Sequence, residues 1–95
     1  MHKITLAQYR PQPGYRVTSG GVAVLKPGEV SHPGRRHTHP DPEIFLILEG
    51  HGRIHIDARP VDIATGDVLI VEPGEDHHLE AADTVVTSWL HLERA

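Results

Sequence analysis

The apolar residues of this chain fall in short runs, and several runs alternate apolar with polar positions. Residue types that favour β-strands dominate five stretches, which are residues 22–25, 44–48, 54–56, 68–71 and 85–92. Alternation over residues 54–56, and again over 61–63, is typical of half-buried strands, because successive side chains of a strand point to opposite faces. Short strands in close succession predict a β-sandwich or a β-barrel.

Glycine and proline separate these runs. The chain has nine glycines and eight prolines, and few stretches between them are long enough for an ordinary helix. We therefore expect an all-β fold of a single domain in 95 residues. Residues 15–95 are predicted to form the barrel. Residues 1–14, which include Pro11 and Pro13, are predicted to form an N-terminal arm.

Two of the runs, residues 44–48 and 68–71, are apolar at consecutive positions. A strand of this kind must be covered on both faces. One face can line the interior of a barrel, and the other then needs a second sheet or another subunit. This pattern predicts a homodimer.

Composition and charge narrow the class of partner. The net charge is −4, and Arg35 and Arg36 form the only adjacent basic pair, which argues against nucleic acid. The longest apolar run is too short to span a bilayer, and residues 1–5 lack the apolar core of a signal peptide, so no membrane association is expected. The absence of cysteine excludes disulfides and thiolate metal sites. We expect a cytoplasmic protein.

Nine histidines are the compositional anomaly, and two of them are closely spaced. His37 and His39 would share one face of an extended chain, roughly 6.6 Å apart. Glu43 follows Pro40 and Pro42 and can turn back toward the same point. Imidazole and carboxylate together suit a divalent transition metal. A His-x-His pair alone is more often two surface histidines, so this stretch needs support from elsewhere.

A second stretch supplies that support. Gly66 and Asp67 open a turn into an apolar strand, and Pro73 and Gly74 then form a tight turn ahead of two adjacent histidines, 77 and 78. Such a turn delivers one histidine to the start of the next strand. It can therefore provide a further ligand from a distant part of the chain.

The two stretches together resemble the motifs of the cupin superfamily. The first motif has the spacing His-x-His-x3-Glu-x6-Gly and the second has Gly-x7-Gly-x2-His, filled here by His37, His39, Glu43, Gly50, Gly66, Gly74 and His77. The resemblance spans residues 31–81 directly. It implies a double-stranded β-helix, which is a jelly-roll-like β-barrel. It also implies one divalent metal ion (Fe, Mn, Ni, Zn, Cu or Co) held by the ligands His37, His39, Glu43 and His77.

Three positions depart from the family pattern. Ser31, Glu72 and Ala81 stand where the motifs have glycine, proline and asparagine. None of the three is a metal ligand in the family, so the departures bear on loop geometry. Glu72 also affects the register. Counting from either motif glycine selects His77 as the fourth ligand, whereas counting from Pro73 would select His78.

One strand leaves the lining of the pocket open. In residues 85–92, Leu90 and Leu92 share one face while Trp89 and His91 share the other. Either face could line the pocket. His55 alternates with isoleucines on both sides, so it is predicted to face outward.

Four protein ligands leave about two positions open on a six-coordinate ion, enough for water, dioxygen or a chelating substrate. The cupin superfamily, which the chain resembles, includes dioxygenases, isomerases and lyases as well as non-catalytic binding proteins. We expect a metal-dependent enzyme that acts on a small, oxygen-rich molecule. The alternative is a non-catalytic metal- or ligand-binding module, since the sequence shows no further acid–base residue at a fixed spacing. A sensor half of a transcription regulator is disfavoured, because no helix-turn-helix segment is attached.

Overall fold

The computed structural model describes residues 1–31 and 38–95, and this part of the chain is built almost entirely of strands. A short 3-10 helix, Leu6–Gln8, is its one helical segment. The strands are β1 (His2–Thr5), β2 (Tyr15–Leu25), β3 (Glu43–Glu49), β4 (His51–Ile56), β5 (Arg59–Ala64), β6 (Asp67–Val71), β7 (His77–Ala81) and β8 (Val85–Arg94). The predicted all-β fold is confirmed.

The strands form two antiparallel sheets. The larger has the order β1-β6-β3-β8-β2, and the smaller has the order β5-β4-β7. From β3 onward the chain passes repeatedly from one sheet to the other, so strands that are distant in sequence become neighbours. The first residue of β3, Glu43, therefore belongs to one sheet and the first residue of β7, His77, to the other.

The main core lies between the sheets. Ile54 of the small sheet and Leu69 of the large sheet are fully buried, and both belong to one apolar cluster. Burial of such a side chain contributes about 1.5–3 kcal/mol relative to leaving it in water. The alternation read from the sequence holds in β4, where Ile54 and Ile56 are buried and Arg53 is exposed.

A second apolar cluster covers the outer face of the large sheet. Its buried members are Ile44, Val68, Ile70 and Leu92. Ile4 of β1, which pairs with Val68 of β6, packs against this cluster, as do Tyr9 and Tyr15. The strands β3 and β6, which contain the runs of consecutive apolar residues, therefore have their outer face covered in part by the N-terminal residues of the same chain. The division of the chain at residue 14 stays a prediction.

Part of the outer face remains open along β2. Val17, Val22 and Val24 are 54%, 63% and 62% exposed. Their partners on the neighbouring strand β8 are Leu92, Ser88 and Val86, whose side chains point away from the core between the sheets. We call these three residues the valine row.

Candidate metal centre

Glu43 and His77 face each other across the gap between the two sheets. They are 4% and 2% exposed, and His77 Nε2 donates a hydrogen bond of 2.8 Å to Glu43 Oε1. The loops that precede β3 and β7 are tied together, because the Gly74 amide donates to the His39 carbonyl oxygen at 2.9 Å. Gly74 has a φ of +81°, a conformation that favours glycine. The two sequence motifs therefore meet at one end of the barrel.

Two further imidazoles contact the same carboxylate. His39 Nε2 lies 2.9 Å from Glu43 Oε1, and His91 Nε2 lies 3.0 Å from Glu43 Oε2. The donor atoms of His39, Glu43 and His91 all lie within 4.8 Å of one another. Among the described residues, a buried carboxylate is thus surrounded by three imidazole nitrogens.

The sequence left the orientation of His91 open, and the structure settles it. Val85 and Thr87 of β8 are buried in the interior, and their alternation carries Trp89 and His91 to the same inner face. The Trp89 and His91 rings have centroids 5.0 Å apart. The strand therefore contributes an imidazole to the cluster that motif spacing alone does not reveal.

Burial and hydrogen bonding fix the charges in the cluster. Burial by itself would raise the pKa of Glu43, but the hydrogen bond from His77 and the charges of the surrounding histidines outweigh it, and the pKa is lowered. Burial would lower the pKa of His77, but hydrogen bonds to Glu43 and to the Glu75 carbonyl raise it above its usual value. Burial dominates at His39 and lowers its pKa. Glu43 is therefore ionised, and His77 holds a proton more readily than His39.

These residues fit a divalent metal ion. A buried, ionised carboxylate with converging imidazole nitrogens is a ligand set that suits first-row transition metals. His77 Nδ1 donates to the Glu75 carbonyl oxygen at 3.0 Å, which orients Nε2 toward the cluster. The predicted ligands His39, Glu43 and His77 are brought together. His37 lies outside the described residues, so the complete ligand set stays a prediction.

His78, the alternative to His77 in the sequence, points to the other side of β7. His77 and Leu79 are buried whereas His78 and Glu80 are only partly so, as the predicted alternation requires. His78 Nδ1 donates to the Ser31 carbonyl oxygen at 3.0 Å, and its Nε2 lies 3.0 Å from Asp76. On the same outer face, His55 pairs with Glu80 at 2.9 Å.

A cavity of about 390 Å³ opens from the cluster into the space between the sheets. Apart from Glu43, His77 and His91, its walls are mostly apolar and include Leu25, Phe45, Leu79 and Trp89. A side chain at residue 21 would crowd the Trp89 indole, since a Cβ on that glycine would lie 3.1 Å from the ring. The cavity has the size and character of a small-molecule site with polar groups at one end.

Two antiparallel sheets that enclose a cavity with a histidine–carboxylate cluster define a class of barrel with a candidate metal centre at its mouth. Residues 21–93 match the family profile described as the Cupin domain. The chain therefore belongs to the cupin family, as the two sequence motifs predicted.

Known proteins resemble the chain in fold and, over one stretch, in sequence. A predicted oxalate decarboxylase from Thermotoga maritima is 26% identical with a TM-score of 0.71, and the match covers 83% of this chain and 68% of that one. A cupin protein from Bacteroides fragilis is 23% identical with a TM-score of 0.68 over 99% of this chain and 77% of that one, a similarity that shows the fold alone.

Among curated proteins, the dimethylsulfoniopropionate lyase DddW of Ruegeria pomeroyi is 41% identical over 58 residues. The match covers 61% of this chain and 36% of the lyase, so the chain spans about a third of that relative's length.

The described residues contain no helix that is long and apolar enough to cross a membrane.

Proton competition gives the cluster a testable pH dependence. A histidine must be neutral to bind a metal ion, and the raised pKa of His77 means that protons compete there above the usual histidine range. We expect the rise in melting temperature caused by bound metal to shrink as pH falls toward about 6 and to be small below it. Differential scanning fluorimetry of metal-loaded and metal-free protein from pH 8 to pH 5 measures this rise. A rise that does not change across the range would contradict the expectation.

Proposed function

We propose that the chain holds one divalent transition-metal ion through His37, His39, Glu43 and His77, and that it activates a small, oxygen-rich molecule in the cavity between the sheets. The observation that carries this proposal is the buried Glu43 carboxylate, which accepts hydrogen bonds of 2.9 and 2.8 Å from His39 and His77. The four ligand positions of the cupin motifs are all filled in this sequence.

Each part of the site has a role in this proposal. The bound ion would supply Lewis-acid polarisation of a substrate oxygen. Glu43 contributes a negative charge that its low pKa preserves, and the Glu75 carbonyl holds the His77 ring in orientation. Phe45 and Trp89 line the cavity beside the cluster and would give a bound substrate apolar walls.

Among the reaction classes open to such a site, we propose that of a lyase. The support is the 41% identity over 58 residues to a lyase of dimethylsulfoniopropionate, a small carboxylate with a sulfonium leaving group. Elimination from such a molecule breaks a C–H bond beside the carboxylate, whose electron pair forms the C=C bond as the C–S bond breaks, and gives dimethyl sulfide, acrylate and a proton that passes to solvent water. Polarisation of the carboxylate makes that C–H bond more acidic, which suits a Lewis-acid centre.

The test is a substrate screen with metal-loaded protein. Dimethylsulfoniopropionate is offered with headspace detection of dimethyl sulfide, and other small hydroxy and keto acids are offered with oxygen-consumption and product readouts. We expect the metal-loaded wild-type protein to turn over a substrate of this screen. We expect His39→Ala to abolish that turnover while the protein stays folded. His55→Ala is the matched control, because His55 also pairs with a glutamate at 2.9 Å but on the outer face. Full activity in a metal-free His39 variant would contradict the proposed mechanism.

One observation favours a non-catalytic function as the second candidate. Among the described residues that line the cavity, the acidic and basic side chains all belong to the metal cluster, and the others are apolar or carry a hydroxyl, as Ser31 and Thr87 do. A binding module needs no further acid–base group. Metal-dependent binding of a small acid by calorimetry, without turnover in the screen, would select this function.

We also propose that the protein is a homodimer. The valine row of Val17, Val22 and Val24 presents exposed apolar side chains in a line along an edge strand, and the described N-terminal residues do not bury them. Light scattering at micromolar concentration should give twice the chain mass, and Val22→Lys with Val24→Lys should shift it toward the monomer. A wild-type mass near 10.5 kDa would reject the dimer.

A further inference from the structure

His91 contacts one oxygen of Glu43, whereas the described ligands His39 and His77 contact the other. Glu43 Oε1 lies 2.9 Å from His39 Nε2 and 2.8 Å from His77 Nε2, whereas Glu43 Oε2 lies 3.0 Å from His91 Nε2. Among the described residues, the two carboxylate oxygens thus have different partners. We propose that His91 is a positioning residue that holds Oε2, so that Glu43 would bind the metal ion through Oε1 alone. This inference rests on the metal centre proposed above.

The arrangement has a consequence for coordination. Carboxylates bind metal ions through one oxygen or through two. A Glu43 free to rotate could offer both oxygens and take a position that a substrate needs. With Oε2 held by an N–H donor, Glu43 would bind a metal ion through one oxygen and would leave a further coordination position open. His91 would then control how many positions remain open.

The backbone and the neighbouring rings fix His91 in place. Glu43 and His91 are directly opposite each other on β3 and β8, the arrangement that brings cross-strand side chains closest. The imidazole lies between the His39 ring, at 4.6 Å, and the Trp89 ring, at 5.0 Å. Its orientation therefore does not depend on the hydrogen bond alone, as a positioning role requires.

His91 can also be replaced without opening the core. Its side chain is 37% exposed, compared with 6% for Glu43. It lines the main cavity and also a second cavity of about 290 Å³, which is bordered by Thr18, Ser19 and Asp41. A variant at this position loses little buried apolar surface, so effects on the metal site can be separated from effects on folding.

The experiment compares His91→Gln with His91→Leu in cobalt(II)-substituted protein. A glutamine amide can donate to Oε2 from about the place of the imidazole N–H, whereas leucine cannot. X-ray absorption gives the number of coordinated imidazoles and the coordination number, and chelator competition gives the cobalt affinity. His55→Gln is the matched control. Thermal unfolding verifies the fold of each variant, and His91→Asn, whose amide falls short of Glu43, replaces the leucine variant if that one does not fold.

We expect His91→Leu to change the cobalt coordination number and to weaken cobalt affinity about 10–100-fold, the usual cost of losing an outer-shell partner. His91→Gln should stay near the wild type, and both variants should keep the wild-type number of coordinated imidazoles. The inference is overturned if His91→Leu matches the His55→Gln control. It is also overturned if one imidazole is lost in both variants, since His91 would then be a ligand itself. Wild-type protein that binds no cobalt would instead refute the metal centre, and this inference with it.

Discussion

Replacing His77 with alanine should abolish stoichiometric metal binding, whereas replacing its neighbour His78 should leave the metal content unchanged. His77 lies in the interior, 2% exposed and 2.8 Å from Glu43, while His78 bonds to Ser31 and Asp76 on the far side of β7. Loss of a ligand should weaken metal affinity by more than about 100-fold, since loss of an outer-shell partner alone costs about 10–100-fold.

The two variants are matched in chemistry and differ only in the face of the strand. Metal content by mass spectrometry and affinity by chelator competition give the comparison. His78→Ala should cost stability instead, about 0.5–1.5 kcal/mol for each lost hydrogen bond. Metal loss from the His78 variant alone would show that the register, and the ligand set built on it, is wrong.

Glu43→Gln is expected to weaken metal binding by a similar factor and to change the metal-free protein as well. The substitution keeps the shape of the side chain but removes the charge that lies among three imidazoles. The hydrogen bond to Glu43 is the largest of the effects that raise the pKa of His77, and burial opposes it. Without that charge we expect the pKa of His77 to fall, which an NMR titration of its ring protons measures directly.

The stability of the metal-free protein should follow the same charges. Since the pKa of His77 is raised in the folded state, the contribution of His77 to the free energy of unfolding is fully present below about pH 6.5. That contribution is lost as the pH rises through the folded-state pKa. Since the pKa of Glu43 is lowered, its contribution is present above about 4.5 and is lost as pH falls through the folded pKa. The difference in unfolding free energy between wild type and Glu43→Gln should therefore be largest between about pH 4.5 and 6.5.

Glu80→Gln is the control for this substitution. Glu80 also pairs with an imidazole, since its Oε1 lies 2.9 Å from His55 Nε2, but this pair is on the outer face of the small sheet. Glu80→Gln should change neither metal affinity nor the pKa of His77. A Glu43→Gln variant that retains wild-type metal affinity would remove the carboxylate from the proposed ligand set.

Much of this architecture could be predicted from sequence because its strands have a simple period. The apolar runs at residues 44–48 and 68–71 lie within β3 and β6, and the motif spacing correctly brought Glu43 and His77 to one place. Residues 15–21 of β2 were missed, since Gly20 and Gly21 break the apolar pattern. Those glycines are compatible with a strand here because they lie close against Trp89 and Leu90.

His91 shows where the pattern cannot decide. Alternation along β8 separates Trp89 and His91 from Leu90 and Leu92, but both faces of this strand are covered. Leu92 is buried in the outer cluster, so hydrophobicity does not identify the inner face. Only the pairing of β8 with β3 places His91 opposite Glu43. Similarly, the apolar runs did not reveal that Ile4 and Tyr9 of the same chain cover the outer face.

The metal centre is tested most directly by the melting temperature of protein purified without a metal-affinity resin, measured before metal removal, after it, and after one equivalent is restored. Ligand at about 100 times its Kd stabilises a protein by about 2.7 kcal/mol. For a domain of this size, 1 kcal/mol corresponds to about 4–8 °C. We predict a fall of about 10 °C or more on verified metal removal and full recovery with one equivalent. A melting curve that is unchanged after verified removal would contradict the metal centre.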